Sequence, residues 1–193
     1  MTGRTAGVPQ VAVFGSARIR PGEREYEQTR ALGAAIAREG WAVCTGGYHG
    51  AMEAASAGAA GDGGRVVGVT VAGWAARLSA NRFVGEERTA DGLLARLQEL
   101  LTSDAWVAVA GGMGTLAEVA LAWNMLQMGE VGARPLVLMG PRWRALLPAL
   151  REHLVIDDRD VGLVHLADGP DDVVARLRGA LGDGDRDRDR TPL

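Results

Sequence analysis

A chain of 193 residues, 47% apolar and 23% charged with a net charge of −3, suits one domain whose core needs no covalent staples. All 21 basic side chains are arginine, which excludes an internal Schiff base to pyridoxal phosphate and a Walker A loop, since both need a lysine amine. No basic stripe suits nucleic acid, no run spans a membrane, no signal-peptide pattern opens the chain, and the single Cys44 forms neither an internal disulfide nor a metal cluster, so the expectation is a cytoplasmic protein with no metal and with neither nucleic acid nor membrane as partner.

Residues 1–10 read as a flexible lead, 11–181 as one domain, and 182–193, GDGDRDRDRTPL, as a disordered charged tail. Apolar runs at 11–15, 41–45, 65–70, 106–110, 135–139 and 162–166 read as strands. Helical periodicity fills the gaps at 23–38, 50–60, 90–101, 114–127, 143–153 and 170–181. In 90–101 the apolar positions are Leu93, Leu94, Leu97, Leu100 and Leu101, and 71–88 is irregular: a lid, a partner contact or a long connection. Alternating strands and helices predict an α/β fold, a Rossmann-like, doubly wound and mostly parallel sheet with helices on both faces. In such a sheet the strands at 11–15 and 106–110 lie side by side, and ligands bind beyond their carboxyl ends.

Three of the strands end in glycine turns: Gly15-Ser16, Gly46-Gly47-Tyr48-His49-Gly50 and Gly111-Gly112-Met113-Gly114-Thr115. Without Cβ atoms the backbone turns sharply and approaches a ligand closely, and the amides at the following helix start suit an anion. A tight strand-to-helix turn with nothing bound is the alternative for the last of them. Glu118, one helical turn past Gly114, either serves the crevice or stabilises the helix start through its dipole. Trp123, Asn124 and Met128 lie further along the same helix, on a face expected to meet a second subunit.

FGSARI, then CTGGYHGAMEAASAGA, then GGRVVGVT and AGGMGTLAEV resemble the LOG (Lonely Guy) family, formerly labelled possible lysine decarboxylases, from Val11 to about Gly140. The resemblance implies a homodimer or higher homo-oligomer that hydrolyses the N-glycosidic bond of a nucleoside 5'-monophosphate, AMP or a cytokinin nucleotide, with no cofactor. It implies that Gly111, Gly112, Gly114 and Thr115 cradle the phosphate, that Gly15, Ser16, Gly46 and Gly47 line the nucleotide pocket, and that Glu118 is the catalytic carboxylate. The family arginine is then Arg96 or the more distant Arg88, of which Arg96 fits better; the surrounding motif departs from the family's. GGYHGAMEA replaces the more usual GGGxxGLMG, placing Tyr48 and His49 as pocket-wall candidates, and Met113 of the last turn is a third.

Cleavage of an N-glycosidic bond builds positive charge on the ribose, which a carboxylate beneath the ring stabilises. The alternative is a binding protein without catalysis, a nucleotide or molybdenum cofactor carrier of the same superfamily. A dinucleotide enzyme is disfavoured, because FGSARI stands where GxGxxG belongs and no acidic residue follows the second strand.

Overall fold

The structure, a computed structural model, describes residues 7–74 and 78–182. The expected charged tail from Asp183 on and the first six residues of the expected lead lie outside the described residues. The elements are β1 (Gln10–Phe14), α1 (Arg24–Arg38), β2 (Ala42–Thr45), α2 (Ala51–Gly61), β3 (Val66–Val71), β4 (Glu86–Ala90), α3 (Leu93–Leu101), β5 (Ala105–Ala108), α4 (Met113–Gln127), β6 (Leu136–Met139), α5 (Pro141–His153), α6 (Asp158–Val161), β7 (Val164–Ala167) and α7 (Pro170–Leu181).

Seven strands form one sheet in the order β4-β3-β2-β1-β5-β6-β7, and every pairing is parallel. The winding reverses at β1, which pairs β2 through Val11 and Val43 and pairs β5 through Val11 and Ala105. Strand side chains alternate between two cores. Val11, Val13, Val43 and Val107 join Leu32, Ile36 and Ala55 of α1 and α2, together with Val173 and Leu177 of α7. On the other face Ala12, Phe14, Trp106 and Ala108 join Leu100, Val119 and Trp143 of α3, α4 and α5. Burial on both faces explains why the central strands read as unbroken apolar runs.

Helices α1 and α2 approach so closely that a Cβ at Gly33 would lie 2.1 Å from the Ala55 carbonyl oxygen, and one at Gly58 would lie 1.9 Å from that of Arg30. That contact fixes where α2 begins, and with it the second glycine turn.

Three elements differ from the sequence expectation. The irregular 71–88 stretch ends in a strand, β4, and α3 starts three residues later than the expected residue 90. Glu86-Glu87-Arg88-Thr89 is polar because β4 is an edge strand, with Arg65, Glu86, Arg88 and Glu99 in one half-buried ion network. Charged side chains along an edge discourage pairing with another chain, and they also hide the strand from an apolar pattern. The four-residue α6 was also absent from the sequence reading; Asp157 caps it by accepting from the amides of Arg159 and Asp160. Among the described residues no helix is long and apolar enough to cross a membrane.

Candidate functional site

All three glycine turns leave the carboxyl edge of the sheet beside the β1–β5 reversal. The Ser16 amide donates to the Ala110 carbonyl at 2.9 Å, and the Ala51 amide donates to the Ser16 carbonyl at 2.9 Å, so the turns interlock. A Cβ at Gly15 would lie 2.4 Å from that of Ala51 and 2.6 Å from a Val109 methyl, so only glycine fits at this junction.

Gly111 packs onto the buried Thr115 side chain, while Cβ positions at Gly112 and Gly114 would meet nothing within 4 Å. Helix α4 therefore starts in the open, with Gly112 at its N-cap and no side chain capping it. The first amides of a helix lack intrahelical acceptors, so this start offers free donors and the positive end of the helix dipole. Met113 is 80% exposed, so its side chain stands outside the turn. A cavity of about 80 Å³ adjoins the turn through Ala110, between the first turn of α1 and the start of α5, with Arg24 and Arg142 in its lining; neither Arg96 nor Glu118 is part of it.

On α4 the buried positions Thr115, Glu118, Val119 and Ala122 form one stripe, so Glu118 occupies a place where an apolar residue would be expected. Arg96, on the neighbouring helix, brings its Nη1 to 3.8 Å from Glu118 Oε1, with the two side chains only 8% and 12% exposed. Arg88 instead pairs with Glu86 and Glu99. Burial pushes the Glu118 carboxyl up to about 7, and the nearby Arg96 guanidinium only partly offsets this. Burial likewise lowers Arg96 below its ordinary value, with Glu118 pulling it back up. For both groups desolvation outweighs mutual attraction, as is common when an ion pair is taken out of water.

Arg96 is held by more than Glu118. Its Nε donates to the Val69 carbonyl at 2.8 Å, its Nη2 lies 3.7 Å from the Met52 sulfur, and its guanidinium stands 5.7 Å from the centre of the Tyr48 ring. A Cβ at Gly46 would lie 1.5 Å from Nη2, so glycine there is the condition for the arginine to enter. Tyr48, expected as a pocket wall, is buried: its ring lies beneath Arg96 and 6.0 Å from the Trp74 ring, and its hydroxyl accepts from the Val71 amide at 2.9 Å. His49 is exposed, with Nδ1 3.7 Å from a Glu53 carboxylate oxygen. The Trp123 indole, on the face expected to meet a second subunit, donates to the Asp160 carbonyl within the chain at 2.7 Å. Asn81, Trp74 and Met52 were missed by sequence reasoning. The first two lie in the irregular stretch, and Met52 looks like ordinary helix packing. Among the described residues no three His, Cys, Asp or Glu side chains group to hold a metal.

The model of the SLOG cluster4 family matches residues 8–132, from just before β1 through the helix that carries Glu118. The chain belongs to that family. Comparison with curated proteins finds no match. This SLOG cluster4 protein is similar in structure to the molybdenum cofactor binding protein of the phototrophic bacterium Rippkaea orientalis, at 24% identity over 92% of this chain and 99% of that one, with a TM-score of 0.75. It is also similar to the molybdenum cofactor carrier protein MCP of Chlamydomonas reinhardtii, at 29% identity over 91% of this chain and 99% of that one, TM-score 0.71. DNA processing protein A of Streptococcus pneumoniae shares the fold alone, at 16% identity over 87% of this chain and 61% of that one, TM-score 0.57. Together these place the SLOG cluster4 chain in the LOG-like superfamily, with cofactor-binding proteins among its structural neighbours.

Proposed function

We propose that the protein is a LOG-type phosphoribohydrolase, which binds a nucleoside 5'-monophosphate across the β1–β5 crevice and hydrolyses its N-glycosidic bond. The observation that carries this reading is the Glu118 carboxylate, buried against Arg96 one turn along a helix whose first amides are free. In this reading the phosphate sits at Gly111–Thr115, in the glycine turn. With a helical rise of 1.5 Å per residue, Glu118 lies about 5 Å further along the axis, a spacing that suits the ribose. Phosphate binding supplies remote energy that fixes the sugar over the carboxylate.

As the bond from C1' to the base nitrogen breaks, positive charge spreads over the ribose and the Glu118 carboxylate stabilises it. A water oxygen bonds C1', its proton passes to Glu118, and the base leaves with the bonding pair and takes a proton from solvent. Free base and ribose 5-phosphate result. Arg96 favours the ionised form of Glu118 and fixes where it points. The reaction takes place in the cytoplasm and uses no cofactor.

The outward face of α4 carries Met113, Ala117, Leu121, Asn124 and Met128, all exposed and mostly apolar, at the spacing of one helical stripe. This face pairs two copies of the chain in a homodimer, with Leu121 near its centre. Incubation with AMP and chromatographic assay for adenine tests the enzymatic reading: release that is lost in Glu118→Gln supports it, and no release from AMP or other nucleoside monophosphates refutes it. The likeness to the Chlamydomonas reinhardtii carrier protein favours a second reading, a binding protein for a phosphorylated pterin or nucleotide. Its signature is tight retention without turnover, unchanged by Glu118→Gln.

A further inference from the structure

Between β3 and β4 the chain returns to the second glycine turn, and Asn81 is the point of contact. Asn81 is only 7% exposed. Its amide donates to the Gly47 carbonyl at 2.7 Å, its Nδ2 donates to the carbonyls of Gly47 and Tyr48 at 3.0 and 2.9 Å, and its Oδ1 accepts from the Phe83 amide at 3.1 Å. Both ends of the carboxamide are therefore used, one on the turn and one on its own segment.

We propose that Asn81 is a positioning residue for Arg96, and through Arg96 for Glu118, acting by holding the turn from Gly46 to Tyr48 in shape. The inference rests on the reading of Arg96 and Glu118 as the reactive pair. The turn supplies both walls of the slot that takes the guanidinium: the bare backbone of Gly46 on one side, where a Cβ would lie 1.5 Å from Nη2, and the Tyr48 ring on the other. Two successive glycines, the second at φ +77°, give this backbone little stiffness of its own, so its shape must be imposed by hydrogen bonds from outside. Thr45 Oγ1 accepts the Gly47 amide at 3.1 Å and braces one side. Asn81 braces the carbonyl side with three donor contacts, which neither an apolar nor an anionic side chain could supply in full.

Glu118 is the charged partner of Arg96; Tyr48 and the Cys44 thiol are the other ionisable groups acting on it, and burial pushes Cys44 up to about 12, so it stays protonated. A loosened slot therefore weakens the one positive charge that, among the described residues, favours ionised Glu118. The side-chain hydrogen bonds of Asn81 go to Gly47, Tyr48 and Phe83 and not to the Gly111–Thr115 turn, so phosphate binding is expected to stay intact. A merely structural residue would lower stability without this pattern.

The test compares wild type with Asn81→Ala and with Asn81→Leu, which is close in shape and uncharged but has no side-chain donors. The expected result is a kcat for AMP lowered on the order of tenfold or more, since small misplacement of reacting groups is costly, with KM changed less than about threefold. Carbon-13 NMR of the Glu118 carboxyl, with hydrogen exchange at residues 46–48, gives a readout that needs no turnover. The carboxyl midpoint is expected to move upward and exchange at residues 46–48 to quicken, while amides elsewhere in the folded chain keep their protection. If wild type releases no base, the NMR and exchange arms still decide the positioning claim. An unmoved Glu118 midpoint in a folded variant overturns it, as does a loss of kcat that tracks loss of fold. Should Asn81→Ala not fold, the same outcomes are read from Asn81→Leu.

Discussion

Replacing Glu118 with glutamine separates a carboxylate kept for chemistry from one kept for stability. In the folded protein burial raises this carboxyl from an ordinary 4.5 to about 7. A group whose folded pKa is raised favours the folded state fully below its unfolded pKa, and that contribution is lost as pH rises through the folded value. The window is therefore about 4.5 to 7. The difference corresponds to about 3 kcal/mol, carried by a side chain that is only 12% exposed. At pH 8 the wild-type chain carries this burden and Glu118→Gln does not. The variant is expected to be more stable at pH 8 by up to about 3 kcal/mol, or roughly 6 to 12 °C in Tm for a domain of this size. At pH 4 the two should unfold together, because both side chains are then neutral. Urea or thermal unfolding followed by circular dichroism at the two pH values measures it, alongside adenine release from AMP. Higher stability with activity abolished is the expected pattern, a trade familiar at functional sites. A variant less stable than wild type at pH 8 would mean that the pair with Arg96 is net stabilising, and would refute the reasoning.

The same carboxyl predicts that kcat/KM rises with pH through about 7 to a plateau, because the ionised form is the one that stabilises the ribose cation; a flat profile from pH 5 to 9 counts against this role for Glu118. Gly46→Ala places a methyl where Arg96 Nη2 now lies, with the Met52 sulfur 2.7 Å away, so Arg96 is displaced and activity falls far more than stability, which drops by about 1–3 kcal/mol. Gly33→Ala drives a Cβ into the Ala55 carbonyl, and the urea midpoint should fall by a similar roughly 1–3 kcal/mol while activity per folded molecule is retained. Leu121→Arg puts a charge on the outward face of α4 and should convert a dimer to a monomer in analytical ultracentrifugation; an unchanged sedimentation coefficient assigns that face another role.

The central strands were legible because a strand covered on both faces must be apolar throughout, as Trp106, Val107 and Ala108 are. Their glycine-marked ends, together with a doubly wound parallel order, imply from sequence alone that β1 and β5 lie side by side. Strand β4 was not legible, because an edge strand is half solvated and its charged residues look like loop. Helix α3 misled in the opposite sense. Its leucines predict an apolar face that includes Leu93 and Leu94, yet these are 51% and 79% exposed while Arg96, between them and Leu100, is buried. No periodicity reveals this inversion, since it depends on acceptors from other elements: the Val69 carbonyl, the Tyr48 ring and Glu118. The helix at this end sacrifices ordinary burial of leucine to hold a guanidinium away from water. The same happens on α4, where Glu118 sits in the buried stripe and Met113 stands outside. Both violations fall where the two helices meet, at the Arg96–Glu118 pair. Packing alone would have placed leucine where Arg96 and Glu118 stand, so two adjacent helices breaking the same rule at the same end argue that the exception is tied to function.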